Sequence, residues 1–148
     1  MEKTIKILSC LLLLSCSSVS TFADEPKRLA VIISAAWGAD EAIHNDSMAM
    51  HQALRQRGLR ANEILSLEGS LNRNIVLSFL NEIGKAIATW REGEIILYYT
   101  GHGSLEGKTA REAIVGLQLS MQEKVSWNEV FIALQIPPKV RLILLPDS

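Results

Sequence analysis

The sequence predicts an α/β domain built on a mainly parallel sheet with flanking helices. Three nearly continuous apolar runs, residues 29–33, 95–99 and 140–145, have the length and composition of strands buried on both faces of a sheet. The segments between them carry apolar residues at three- and four-residue spacing, which is typical of amphipathic helices. Strands that alternate with helices imply crossover connections, and crossovers join parallel strands.

Two long helices are expected between the strands. The first is expected over about residues 41–57, ends before Gly58, and has these residues on its apolar face: Ala49, Met50, Ala53 and Leu54. The second is expected over residues 71–90, and its apolar face is formed by these residues: Ile75, Val76, Phe79, Leu80, Ile83, Ile87 and Trp90.

The remaining elements are shorter. Residues 64–67 are a weaker strand candidate, residues 101–112 read as a polar Gly-containing loop, and residues 114–115 fit a short strand or one arm of a hairpin. Ser126 and Glu129 have the spacing of a capping box, which predicts a short helix that Pro137 and the proline after it would end.

Residues 1–23 read as a secretory signal peptide. Lys3 and Lys6 precede an almost wholly apolar stretch, and small and polar residues follow it up to Ala23. The stretch is shorter than the roughly 20 residues that a membrane-spanning helix needs. We therefore expect cleavage after Ala23 and export to the periplasm or the extracellular space. A buried N-terminal helix is one alternative; a lipid anchor on Cys16 is another, because residues 13–16 resemble a bacterial lipobox.

Composition narrows the functional class. The chain has 148 residues and a formal net charge of −1, so nothing in its charge indicates a nucleic-acid partner. Residues 24–148 suffice for one domain of ordinary size, and no internal repeat or low-complexity tract divides them. Both cysteines, Cys10 and Cys16, lie in the predicted signal region, so the mature domain is expected to contain no thiol and no disulfide.

Chemistry is expected where the parallel strands end, because ligands of open α/β sheets bind beyond the carboxyl ends of the strands. Residues 34–38, 100–103 and 146–148 follow such ends. His102 is the first catalytic candidate, since it lies between two glycines that allow close approach of a ligand. It could act as a general acid or base, and the Gly103 amide could help to bind an oxyanion. The alternative is a loop histidine without a catalytic role.

Residues 98–104 (YYTGHGS) resemble the histidine motif of the caspase, metacaspase and legumain clan of cysteine peptidases, in which an apolar strand leads into a Gly-flanked catalytic histidine. Residues 43–46 (IHND) resemble the Asn-Asp helix start of metacaspases, and residues 140–148 resemble the strand that leads to their Asp-x-Cys motif. The resemblance covers residues 29–148. It implies the three-layer caspase-like (caspase/haemoglobinase) fold, incomplete at the C-terminus.

The resemblance also implies roles for individual residues. His102 would be the catalytic acid/base, and the Gly103 amide would donate to an oxyanion. Asp46 and Asp147 would contribute to a pocket for an arginine or lysine side chain of a peptide or protein substrate. From the residues alone, Asp46 could instead be a helix N-cap and Asp147 a solvated carboxylate. We expect no cofactor and no metal ligands.

One departure from the family pattern bears on activity. The family places its nucleophilic cysteine directly after the position of Ser148, where this sequence ends. Ser148 is a poor substitute, because nothing is expected to fix its hydroxyl against His102. We therefore expect a truncated or partial relative of secreted cysteine-type endopeptidases that does not hydrolyse peptide bonds by itself. The alternative is a non-catalytic peptide-binding module; a phosphate-binding flavodoxin-like domain is disfavoured, because no Gly-rich strand-to-helix cradle is present.

Overall fold

The computed structural model describes residues 27–36, 41–109 and 111–148. In chain order its elements are β1 (Arg28–Ala35), α1 (Glu41–Gln56), β2 (Ile64–Gly69), α2 (Arg73–Ile87), β3 (Gly93–Thr100), β4 (His102–Glu106), β5 (Ile114–Gln118), β6 (Lys124–Ser126), α3 (Trp127–Leu134) and β7 (Val140–Asp147). A short 3₁₀ turn, Ala61–Glu63, precedes β2. The predicted signal peptide, Cys10, Cys16 and Trp37 lie outside the described residues.

The main sheet has four strands in the order β2-β1-β3-β7, and every neighbouring pair is parallel. The predicted α/β class with a mainly parallel sheet is therefore confirmed, and all three apolar runs lie in its strands. Every connection between the strands carries a helix: α1 follows β1, α2 follows β2, and α3 precedes β7.

Two apolar clusters lie on opposite faces of this sheet. The larger joins one face of β1 and β3 to α2 and α3, with fully buried residues such as Val31, Leu80, Leu97 and Leu134 at its centre. The smaller joins the other face to α1: Ala30, Ile32, Leu54, Leu59, Ile64, Ile96 and Tyr98. Because successive strand residues point to opposite faces, β1 contributes alternate residues to each cluster. The helices thus cover both faces in a helix–sheet–helix arrangement.

The structure corrects two packing expectations. The buried residues of α1 are Ile43, Ser47 and Leu54, whereas the predicted face residues Ala49 and Ala53 are exposed. Alanine carries little apolar area, so the larger aliphatic side chains determine which face packs on the sheet. The last apolar run was expected in a strand buried on both faces, but most of β7 is half-buried or exposed, and among the described residues it pairs with β3 alone and forms an edge.

A second sheet, antiparallel in the order β4-β5-β6, follows β3 directly. The expectation of a polar loop over residues 101–112 was therefore wrong for His102–Glu106, which pairs with β5, while the expected hairpin arm at residues 114–115 is confirmed. A polar strand with a glycine inside shows no apolar alternation, so its pairing depends on β5. No helix in the described part of the chain is long and apolar enough to cross a membrane.

The helix ends follow the expected capping chemistry. Asn72 caps α2 by accepting a hydrogen bond from the Ile75 amide (2.9 Å), so this helix begins at Arg73 rather than at residue 71. It ends at Ile87, three residues before the predicted end. At α3 the predicted capping box is confirmed: the Glu129 amide donates to Ser126 Oγ (3.3 Å), and the Ser126 amide donates to the Glu129 carboxylate (2.9 Å).

Candidate functional site

The carboxyl ends of the four parallel strands form one polar edge. Across the sheet, Glu68 of β2 lies beside Ser34 of β1, Ser34 lies beside Thr100 of β3, and Thr100 lies beside Asp147 of β7. We call these four residues the polar row. They share the sheet face that α1 covers, since Glu68 contacts Ser47 of α1 and Thr100 contacts the same helix. Parallel pairing thus brings together segments that are far apart in the sequence.

Asp46 and Asp147 are held on this edge by hydroxyl donors. Thr100 Oγ1 donates to Asp46 Oδ2 (3.4 Å), and Tyr98 Oη donates to Asp147 Oδ2 (3.1 Å). Burial raises the pKa of Tyr98 to about 12, and the hydrogen bond to Asp147 and the charges of both aspartates act in the same direction. The two carboxylates therefore act on the same phenol. No described lysine, arginine or histidine forms an ion pair with either aspartate.

Asp46 is not a helix N-cap. Helix α1 begins at Glu41, so Asp46 lies within its second turn, where backbone amides are already bonded along the helix. Its side chain is exposed at one side and contacts Thr100 at the other. The alternative of a capping aspartate is therefore wrong for this position.

His102 is the first residue of β4 and is exposed at the same end of the molecule. The Tyr99 hydroxyl is placed to donate to its backbone: it lies 2.7 Å from the His102 carbonyl oxygen and 3.0 Å from the Gln118 carbonyl oxygen. Burial raises the pKa of Tyr99 far above its usual value, so this hydroxyl remains a neutral donor. Trp127 packs edge-on against the Tyr99 ring, with 6.4 Å between the ring centroids.

Two glycines allow the backbone around His102 to pass close to its neighbours. Gly101 has φ +148°, and a Cβ there would lie 2.7 Å from Tyr99 Oη. Its amide donates to the Asp147 carbonyl oxygen (3.2 Å). A Cβ at Gly103 would lie 3.1 Å from Ser148 Oγ, so the end of the last strand runs directly past the Gly-His-Gly segment. The motif and the strand that carries Asp147 are thus neighbours.

Sequence reasoning missed several residues that shape this edge. Tyr98 and Tyr99 belong to a run that the sequence predicts only as a buried strand, yet their hydroxyls donate to Asp147 and to the His102 backbone. Glu68 was not singled out; its carboxylate lies 2.6 Å from His44 Nδ1 and accepts from Ser47 Oγ at 3.3 Å. The available signal was a polar residue one or two positions after the end of each predicted strand of the main sheet.

The described residues contain no group of three or more histidine, cysteine, aspartate or glutamate side chains placed to hold a metal ion. Each acidic residue of the edge is instead bonded to a hydroxyl, and Glu68 also to an imidazole. The arrangement of carboxylates and hydroxyls suits a ligand that brings its own positive charge and hydrogen-bond donors. No protein-family model and no curated protein sequence matches the chain.

Proposed function

We propose that this chain is the histidine-bearing part of a caspase-like cysteine peptidase domain, and that Asp46 and Asp147 bind a basic side chain of a peptide. The observation that carries the proposal is the pair of carboxylates without a described ionic partner, at the same sheet edge as the His102 motif. The described residues form six ion pairs with other acidic side chains, whereas Asp46 and Asp147 are bonded to hydroxyl groups. A cationic ligand would supply the opposite charge to this pair.

The local geometry supports a cationic ligand. Thr100 and Tyr98 each donate to one aspartate oxygen, which fixes the carboxylates while their remaining lone pairs stay available. A guanidinium or ammonium group between the two carboxylates would form charge-assisted hydrogen bonds, which are stronger than neutral ones. The order of motifs along the chain and the helix–sheet–helix arrangement are compatible with the caspase-like fold.

The binding claim is tested by calorimetry or NMR titration with blocked peptides that contain one arginine or one lysine. We expect Asp147→Asn and Asp46→Asn each to weaken binding roughly threefold to tenfold, the range for charge-assisted contacts at an exposed site. Glu92→Gln is the matched control, because it removes one carboxylate at the opposite, amino end of β3. Equal loss in the control, or no binding of either peptide, would contradict the proposal.

The chemistry of the family would use a cysteine thiolate as nucleophile, His102 as acid/base and the Gly103 amide as an oxyanion donor. Cysteines occur in this sequence only at positions 10 and 16, so we expect the 148-residue polypeptide to bind such peptides without hydrolysing them. A longer protein that continues with cysteine after Ser148 should cleave them, and His102→Ala should abolish that cleavage. Cleavage by the 148-residue chain that survives His102→Ala would overturn the mechanism.

The second candidate is a peptide-binding module that never cleaves. The acidic edge supports it, since peptide binding needs Asp46 and Asp147 but no nucleophile. The two candidates differ in one measurement, the turnover of an arginyl or lysyl peptide by the full-length natural protein. For either candidate we propose export with cleavage after Ala23, which N-terminal sequencing of the exported protein tests.

A further inference from the structure

Strand β7 is an edge of the main sheet whose side chains are only partly covered. Most side chains of β1 and β3 are buried, whereas Leu142, Ile143 and Leu144 of β7 are half-buried and Leu145 is 38% exposed. A groove of about 450 Å³ lies between this edge and α1, and apolar residues such as Met50 and Ile143 line it. Apolar edge strands pair readily with a strand of another chain, because their backbone groups on one side have no partner in the sheet.

The backbone of β7 directs polar groups outward at its even-numbered positions. The Asp147 carbonyl oxygen accepts from the Gly101 amide (3.2 Å), so the polar groups of Asp147 point towards β3. Because successive residues of a strand point to opposite sides, those of Leu142, Leu144 and Pro146 point away from β3. Pro146 fits this assignment, since proline is tolerated in an edge strand where the sheet needs no amide donor. The outer side of β7 therefore offers the Leu142 and Leu144 amides and the carbonyl groups of all three residues.

The side chains of β7 are complementary to a second, antiparallel copy of the same strand. When Leu144 lies opposite Leu144 of the second copy, Arg141 lies opposite Asp147 and Ile143 lies opposite Leu145. Arg141 and Asp147 are both exposed, and opposite charges directly across two strands stabilise their pairing. Each charged end of the strand thus meets the opposite charge, and the apolar middle meets apolar residues.

The same register satisfies the outer backbone groups. Leu144 of each copy exchanges hydrogen bonds with Leu144 of the other, and the Leu142 amide donates to the carbonyl oxygen of Pro146, which needs no donor from the proline. On the α1 face, Ile143 and Leu145 of the second copy would lie beside the groove and cover its open side. The strand therefore fits its own copy in charge, in hydrogen bonding and in apolar contact.

We propose that two copies of this chain associate through β7 as a twofold-symmetric dimer with one sheet running through both. The symmetry forms the contact between Arg141 and Asp147 twice, and the pairing occupies the β7 edge of both copies, so association stops at two. The opposite edge strand, β2, is not self-complementary in this way, because it contains Glu68 but no basic residue. This inference does not rest on the proposed function.

Sedimentation velocity of the 148-residue chain, from micromolar to submillimolar concentration, tests the association. We expect the average mass to rise with concentration and to level off at that of two copies. A chain that stays monomeric throughout the range, or that continues to grow beyond two copies, would overturn the inference.

Charge reversal tests the register. Asp147→Arg places like charges opposite each other at both symmetric points, so we expect the dissociation constant of the dimer to rise roughly tenfold. Adding Arg141→Glu makes the charges opposite again and should recover most of this loss. Both changes are made in a Glu94→Gln background, because Glu94 forms an ion pair with Arg141 within the chain and would repel a glutamate there. Glu82→Arg, the same charge change on the surface of α2, is the control and should leave the dissociation constant unchanged.

Amide hydrogen exchange of the unmodified chain tests the pairing without any substitution. Exchange at Leu142 and Leu144 should slow as the concentration rises, whereas the amides of Ile143 and Leu145 point towards β3 and should not respond. Exchange at Leu142 and Leu144 that does not depend on concentration would contradict the proposal. The same holds for a double charge reversal that dimerises no better than Asp147→Arg, or for equal weakening by Glu82→Arg.

Discussion

The hydroxyl of Tyr99 donates to the backbone of the His102 segment, and Tyr99→Phe removes this donor without changing the ring. The side chain is 1% exposed, and its oxygen lies 2.7 Å from the His102 carbonyl and 3.0 Å from the Gln118 carbonyl. It therefore ties the end of β3 to both neighbouring strands of the small sheet. Phenylalanine keeps the edge-on contact with Trp127 and leaves two carbonyl oxygens without this donor.

The expected cost follows from these contacts. A buried hydrogen bond contributes about 1 kcal/mol net, and a buried acceptor left unpaired adds to the loss, so we expect about 1.5–2 kcal/mol less free energy of unfolding. For a domain of this size that corresponds to a fall in Tm of about 5–8 °C. The assay is urea unfolding followed by tryptophan fluorescence, with amide hydrogen exchange to show whether the loss is concentrated at residues 101–104.

The adjacent tyrosine provides the control. Tyr98→Phe also removes one hydroxyl, but its acceptor is the carboxylate of exposed Asp147, which water can hydrate instead. We expect a cost of about 0.5 kcal/mol, measured in the same way. If Tyr98→Phe destabilises the protein as much as Tyr99→Phe, or if Tyr99→Phe leaves exchange at residues 101–104 unchanged, the Tyr99 hydroxyl is not what holds this segment.

Two further changes test the local structure. The hydrogen bond from the Ser126 amide is the largest cause that lowers the pKa of Glu129 from 4.5 to about 2, and side-chain hydrogen bonds add to it. The ionised Glu129 therefore stabilises the fold above pH 4.5, and this stabilisation is lost as the pH falls towards 2. Glu129→Gln should cost about 1 kcal/mol at pH 7 and flatten this acid dependence, and an unchanged acid profile would contradict the capping box. Gly101→Ala should lower the free energy of unfolding in urea by at least about 2 kcal/mol, because the φ of +148° and the nearby Tyr99 hydroxyl both exclude a Cβ. Gly103→Ala should lower it far less, because a Cβ there meets only the exposed side chain of Ser148.

The elements that the sequence predicted well are those whose own composition determines them. The apolar runs in β1, β3 and β7 predicted strands, because runs of four to eight apolar residues are too short for a buried helix. The Ser126–Glu129 capping box was equally local, since its two hydrogen bonds lie within four residues. The meeting of three segments at one edge followed from parallel pairing alone.

Tertiary contacts decided the rest. Strand β4 is polar and pairs only because β5 lies beside it, so no pattern within residues 101–112 revealed it. The hydrogen bonds of Tyr98 and Tyr99 depend on partners 49 and 19 residues away along the chain, which no local pattern identifies. The position of β7 at an edge depends on the whole strand order.

The sequence by itself thus determined the α/β class, the edge at which polar residues gather, and the His102 motif with its resemblance to caspase-like peptidases. Only the tertiary structure decided that Asp46 contacts Thr100, and that the Ser34 hydroxyl is buried without a hydrogen-bond partner in the described structure. The physical reason is that hydrogen-bond satisfaction depends on atoms brought together from different strands. Periodicity along one strand shows which face a residue shares but not which partners it meets there.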